Sequence, residues 1–199
     1  MSLERRATAT PPEIRAGEAA GRVARGYAAL FNVPADIGGI FTETIAPGAF
    51  TETLRTADVR ALIAHDSGRV IGRSKAGTLR LSEDAKGLLV EIDLPDTTDG
   101  RDLAVQLERG DISGMSFGFY ATKEEWDESG KLPHRTILRA ELIEVSAVAF
   151  PAYPDTSLAL RSLEQARKER RRQNFSAAAR RLRMKTNLAL RIRGAESKA

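Results

Sequence analysis

Between Val23 and Thr156 the chain is broken into short runs that read as β-strands, and turn residues separate most of them. The runs are Arg22–Phe31, Val59–His65, Arg69–Ser74, Gly77–Asp84, Gly87–Pro95, Ile112–Ala121 and His134–Phe150. Asp66-Ser67-Gly68, Lys75-Ala76-Gly77 and Ala85-Lys86-Gly87 are the turns expected between neighbours. Many short strands at this spacing fit a sandwich or barrel and exclude a helix bundle. Two helices are expected among them. One spans Pro47 to about Thr56 and opens on proline, which suits a first turn. The other spans Asp99–Glu108; Thr97-Thr98 would cap it, Gly110 would stop it, and Leu103 and Leu107 would pack inward. The polar stretch Lys123–Arg135 reads as a long hairpin connection. The fold class is therefore mainly β with peripheral helices (α+β), as a closed or partly open β-barrel.

The ends differ from this middle. Residues 1–21 are polar, contain Pro11 and Pro12 and show no periodicity, so they read as a flexible arm. From Arg161 to Ala199 there are 13 Lys and Arg against 3 Glu, while the other 160 residues hold 18 basic and 24 acidic side chains. The overall charge of +4 thus belongs to the tail, a basic appendage suited to an acidic surface or nucleic acid. Ser162 to about Ile192 looks helical, and its Leu182, Met184, Leu188 and Leu190 are too few to bury a core. The apolar content, 42%, is enough for one domain. Without cysteine there are no disulfides and no thiolate metal sites. No leader-like apolar segment opens the chain, and no run approaches the roughly 18 apolar residues of a membrane span, so a soluble cytoplasmic protein is expected.

The run GDISGMSFGF, Gly110–Phe119, carries the first chemical signal. At period two, Met115, Phe117 and Phe119 share a core face, and Gly114, Ser116 and Gly118 share the other. One hydroxyl stands between two residues without side chains. A strand loses packing through such glycines, which often mark a close approach of another backbone. Ser116 could act there on an extended peptide, or the glycines could mark a bulge or barrel corner.

There are two histidines. His134 lies in the charged connection and is expected to be exposed. His65 closes an apolar strand, either as a structural residue or as a general base available near neutral pH. A serine hydroxyl needs such a base, and the base needs a third group to orient it. Glu144 is the candidate. Simple alternation places it and Ser146 with Leu138, Ala140, Leu142, Val148 and Phe150, where a carboxylate is costly unless paired. Its partner would be His65 or an arginine such as Arg73 or Arg101. Glu141 falls on the opposite face. Ser113 and Ser146 are rival nucleophiles. The acidic string Asp93, Asp96, Asp99 and Asp102 lacks calcium-loop spacing, and no histidine pair has zinc spacing, so neither a metal nor a cofactor is expected.

Taken in order, GYAALFN (Gly26–Asn32), ETIAPGAF (Glu43–Phe50), His65-Asp66, GTLRL, LPDTTDGRDL (Leu94–Leu103), GDISGMSFGF, LIEVSAVAFPAYPDT (Leu142–Thr156) and Arg161 resemble the tailed-phage prohead proteases. Those are serine peptidases of capsid maturation, similar in fold to the herpesvirus assemblins. The resemblance implies a barrel domain over residues 22–161 and a tail over 162–199. It places the nucleophile on Ser116 and the histidine on His65. The third assemblin member is a histidine; the corresponding strand here offers Glu144 instead, giving Ser116–His65–Glu144. The oxyanion donors stay unassigned, with backbone N–H groups near Ser116 as candidates.

The implied activity is endopeptidase processing of the major capsid protein or its scaffolding segment, and of the chain itself, inside the assembling prohead in the host cytoplasm. Self-association is suggested by the assemblin likeness, and weak nucleic-acid contact by the basic tail. The alternative is a non-enzymatic assembly protein that binds capsid or nucleic acid through its arginines.

Overall fold

A computed structural model of the chain describes residues 3–17, 21–150 and 156–196. In chain order the elements are β1 (Glu4–Thr8), β2 (Glu13–Ala16), β3 (Arg22–Leu30), β4 (Ala35–Ile37), β5 (Phe41–Ile45), α1 (Thr51–Thr56), β6 (Arg60–Ile63), β7 (Asp66–Arg73), β8 (Leu79–Glu83), β9 (Gly87–Asp93), α2 (Thr98–Arg109), β10 (Gly114–Asp127), β11 (His134–Val148) and α3 (Thr156–Glu196). The strands divide between two sheets instead of closing into one barrel. Four form the sheet β2-β3-β9-β8. Seven form the other, ordered β1-β10-β11-β5-β4, with β6 also on β11 and β7 on β6. The chain is mainly β, with few helices.

One long strand organises the larger sheet. β11 pairs with β10 along one side. Its other side takes β5 at His134–Ile137 and β6 at Glu144–Ala147, both parallel. The core is filled by the inward residues of both sheets, including Ile71, Leu88, Val90, Ile92, Phe117, Phe119 and Leu142, together with Phe50 from the turn before α1. Phe50 meets Phe117 edge-on at 5.7 Å, a favoured aromatic geometry. α2 adds Leu103 and Leu107 to this core, as their one-turn spacing predicts. Thr97 caps α2 by accepting from the Gly100 amide, and Gly110 closes it with φ of 80°.

Four expectations are corrected. Residues 1–21 are not simply an arm: β1 and β2 pair with β10 and β3. The polar sequence of β1 hid this because charge anchors much of it. Arg135, 2% exposed, donates to Glu4 at 2.7 and 2.8 Å, to Glu43 at 2.9 Å, and to Glu124. Arg6 donates to Glu43 at 2.7 Å and to Glu4 at 2.8 Å. Burial alone would push the Glu4 carboxyl up. The hydrogen bond and charge of Arg135, then those of Arg6, outweigh burial and hold it below its ordinary value. Second, the connection after β10 is short, because β10 runs on to Asp127 and Trp126 packs edge-on against Phe41. Third, Pro47–Phe50 form turns, and α1 begins only at Thr51, where Glu83 accepts from the Phe50 amide and the Thr51 hydroxyl. Fourth, His134 is half-buried as the first residue of β11, with its ring bonded to the hydroxyls of Thr42 and Thr44.

The chain divides into two compact units, Met1–Ala159 and Leu160–Ala199. The second is the greater part of α3. From residue 164 to residue 181 its described side chains are nearly all exposed, Phe175 among them at 78%. Residues 151–155 and the side chains of Leu182, Leu188 and Leu190 lie outside the described residues. Among the described residues no helix is long and apolar enough to cross a membrane.

Candidate active site

His65 is carried on a tight hairpin. β6 and β7 pair antiparallel, with Ile63 opposite Asp66, so the connection is only Ala64-His65. Both residues have positive φ, 51° and 63°. Two-residue hairpins of the twist-matched kind require this at both positions, and Asn-Gly normally supplies it. Ala-His does so under strain, about 1–3 kcal/mol for each residue. The turn is pinned by the Ala64 amide, which donates to the Ala147 carbonyl at 3.0 Å. Asp66-Ser67-Gly68, expected as the turn, instead begin β7.

Glu144 reaches His65 through a β-bulge. Gly118 pairs with Glu144 but Phe119 pairs with Leu142, so Ile143 is an extra residue on β11. The bulge reverses the alternation. Ala140 and Leu142 face the core before it, and Val145 and Ala147 after it. Glu144 and Ser146 therefore do not share the face of Ala140 and Leu142, as unbroken alternation predicted. They stand opposite Gly118 and Ser116. Phe150, assigned to the same face, is 85% exposed.

The Glu144 carboxylate, 5% exposed as a residue, lies against the bare Cα of Gly118. A Cβ at Gly118 would sit 2.7 Å from Oε1. The room at Gly118 is thus taken by a side chain of this protein. Oε1 accepts from His65 Nδ1 at 2.7 Å, and Oε2 accepts from the Ser146 hydroxyl at 2.6 Å. Arg5 Nε stands 3.7 Å from Oε1 on a half-exposed side chain. The arginines weighed as partners are engaged elsewhere: Arg101 with Asp96, and Arg73 with Asp58, whose carboxyl the Arg73 hydrogen bonds pull down to about 2.

An ionised carboxylate only accepts, so the short contact places the ring proton on Nδ1. In the neutral ring Nε2 is then the basic nitrogen. It is buried, and among the described residues it has no hydrogen-bond partner. A free, oriented acceptor suits general-base chemistry.

Ser116 is fully buried, opposite Ser146 on β11 and Ala7 on β1. Its hydroxyl donates to the Arg6 carbonyl at 2.8 Å, not to His65. The Ser113 hydroxyl donates to the Ala149 carbonyl at 2.6 Å. The bulge puts Glu141, expected on the opposite face, on the same side as Glu144 and Ser116, where it pairs with Tyr120 and is exposed. Among the described residues no acidic or histidine cluster could hold a metal: Asp93 pairs with Arg80 and Asp99 with Arg69. Sequence reasoning missed the Arg6 contact, which crosses 110 residues. It also missed the tie between Ser146 and Glu144, which their two-residue spacing could have suggested.

The family model for caudovirus prohead serine proteases matches residues 10–169. The prohead protease of Enterobacteria phage HK97 is 31% identical over 140 residues, covering 67% of this chain. The chain spans 57% of that relative's length. Among solved structures, the capsid assembly protease of bacteriophage T4 is similar in fold, with a TM-score of 0.53 at 13% identity, covering 75% of this chain and 98% of the T4 chain. The chain belongs to the caudovirus prohead serine protease family.

Proposed function

We propose that this protein is a serine endopeptidase that processes capsid or scaffold protein, and itself, during prohead maturation. Ser116 is the nucleophile, His65 the general base, and Glu144 the group that orients the imidazole. The observation that carries this reading is the pairing of His65 Nδ1 with Glu144 Oε1, which leaves Nε2 as a free, buried acceptor, while Glu144 itself stands opposite Gly118 on the strand of Ser116.

Attack requires the Ser116 hydroxyl to turn from the Arg6 carbonyl toward Nε2. His65 then takes the proton as Oγ adds to the scissile carbonyl, and gives it to the leaving amine. Water hydrolyses the acyl-enzyme by the same proton path. Partners follow from the family: the T4 structural neighbour is a capsid assembly protease, and the corresponding partner here is the capsid subunit or its scaffolding segment. The exposed arginines of α3, among them Arg170, Arg171, Arg172, Arg180 and Arg181, suit docking on acidic protein or on phosphates within the shell.

A second reading is favoured by one observation. Ser116 is buried and bonded to Arg6, as it would be in a chain that keeps the fold for assembly alone. Intact-mass analysis over time separates the two, comparing the chain with Ser116→Ala, with and without capsid protein. Shortening of the chain or of capsid protein only with Ser116 present supports the peptidase. Wild type and variant both staying whole with capsid protein supports the assembly role. Equal cutting by both removes Ser116 as nucleophile.

A further inference from the structure

Resting on the peptidase reading, we infer that Ser146 is a positioning residue of this site, setting Glu144 so that His65 presents Nε2 as the base. Four observations carry it. Ser146 is fully buried in a strand otherwise lined there by Val145, Ala147 and Val148, where a hydroxyl earns no place by packing. Its donation to Oε2 at 2.6 Å lies in the range of charge-assisted O–H···O bonds. It sits directly across the ladder from Ser116, so one β11 residue faces the nucleophile and holds the acid. Finally, among the described residues Oε2 has no other hydrogen-bond donor.

The division between the two carboxylate oxygens gives Ser146 its role. Oε1 is occupied by His65 Nδ1, and Arg5 stands 3.7 Å from that same oxygen. Gly118 leaves the carboxylate room on one side but gives it no donor. Without the Ser146 hydroxyl, the carboxylate can turn about its terminal torsion, which is broad and twofold. The Nδ1–H···Oε1 bond then loses its fixed acceptor, and the imidazole loses the bond that fixes its tautomer. The bulge at Ile143 serves the same end, because it brings Glu144 and Ser146 together onto the Ser116 face.

The test is the reaction of the whole chain with a fluorophosphonate, followed by intact mass, together with nitrogen-resolved NMR of the His65 ring. In this reaction the Ser116 oxygen bonds to phosphorus, fluoride leaves, and the hydroxyl proton passes to His65. In Ser146→Ala the maximal rate should fall about ten- to hundredfold, the range set by one hydrogen bond to a charged group. The probe concentration for half-maximal rate should not change. The His65 ring should show both neutral tautomers where the wild type shows the one protonated at Nδ1, because the Nδ1–H···Oε1 bond has lost its fixed acceptor. The charged groups near the pair, Arg5 on β1 and Arg60 on β6, are unaltered in the variant. Ser146→Thr keeps a hydroxyl and should restore both rate and tautomer. An alanine variant with wild-type rate and tautomer overturns the inference. So does a fall in rate with an unchanged tautomer and no rescue by threonine, which is the behaviour of a packing residue. A wild-type chain left unlabelled at Ser116 instead overturns the peptidase reading on which the inference rests.

Discussion

Gly118 and Glu144 face each other across β10 and β11, and the carboxylate of one fills the space left by the missing side chain of the other. The glycine is part of the geometry that lets an acid lie flat on a neighbouring strand and reach His65. Gly118→Ala should therefore displace Glu144. With Cβ 2.7 Å from Oε1, either the carboxylate or the strand has to move. We expect at least tenfold slower fluorophosphonate labelling of Ser116 with folding retained by circular dichroism. Unchanged labelling would show that Glu144 does not need its present position.

Glu144→Gln keeps the shape and changes the proton. An amide can offer its NH2 to Nδ1, which puts the ring proton on Nε2 and removes the base. The expected loss is about 10²–10⁴-fold in capsid-protein processing, the range of a positioned base and its tautomer. Nitrogen-resolved NMR of the His65 ring should show Nδ1 protonated in the wild type and the opposite tautomer in the variant. A wild-type tautomer in the variant sinks this account.

Strain in the hairpin at His65 is separable from chemistry at Ala64. Ala64 has φ of 51°, which glycine adopts without the Cβ penalty. Ala64→Gly should raise stability by up to about 1 kcal/mol, or roughly 2–4 °C in melting temperature for a domain of this size. If melting falls by more than that, the turn is not strained at this position.

The ionic cluster under β1 predicts a pH dependence of stability. Glu4 is held below its ordinary value of 4.5, so its contribution is fully present above about pH 4.5 and is lost as pH falls through the lowered folded value. Glu4→Gln carries no such proton. The melting-temperature gap between wild type and Glu4→Gln should be constant near neutral pH and shrink on acidification below pH 4.5. A gap that stays constant down to pH 3 would mean Glu4 is not selectively stabilised as the anion.

Much of the fold follows patterns that a strand or helix writes locally. The period-two face of Met115, Phe117 and Phe119, the Thr97 cap and the Gly110 stop are all such patterns, and the structure has them. What the sequence concealed depends on partners far away. Glu4 and Arg6 look like a solvated arm until Arg135 and Glu43 are beside them. The Ile143 bulge breaks no local rule, yet it reverses the face of every residue after it up to Val148. β4 and β5 are short and mixed in composition, and pairing with each other and with β11 is what makes them strands. His65 and Glu144 were proposed from residue chemistry and family likeness. Their meeting required a turn that Ala-His gives no sign of making.

The pairing of β1 with β10 sets an order on how this chain folds. β1 has no seat until a partner some 110 residues later in the chain is present. Its charged groups are desolvated only once Arg135 is also present. Such non-local closure is slow compared with hairpin formation. The sheet that carries Ser116 is thus closed by a strand from far away in the chain, and the contact of the Arg6 carbonyl with the Ser116 hydroxyl forms only with that closure.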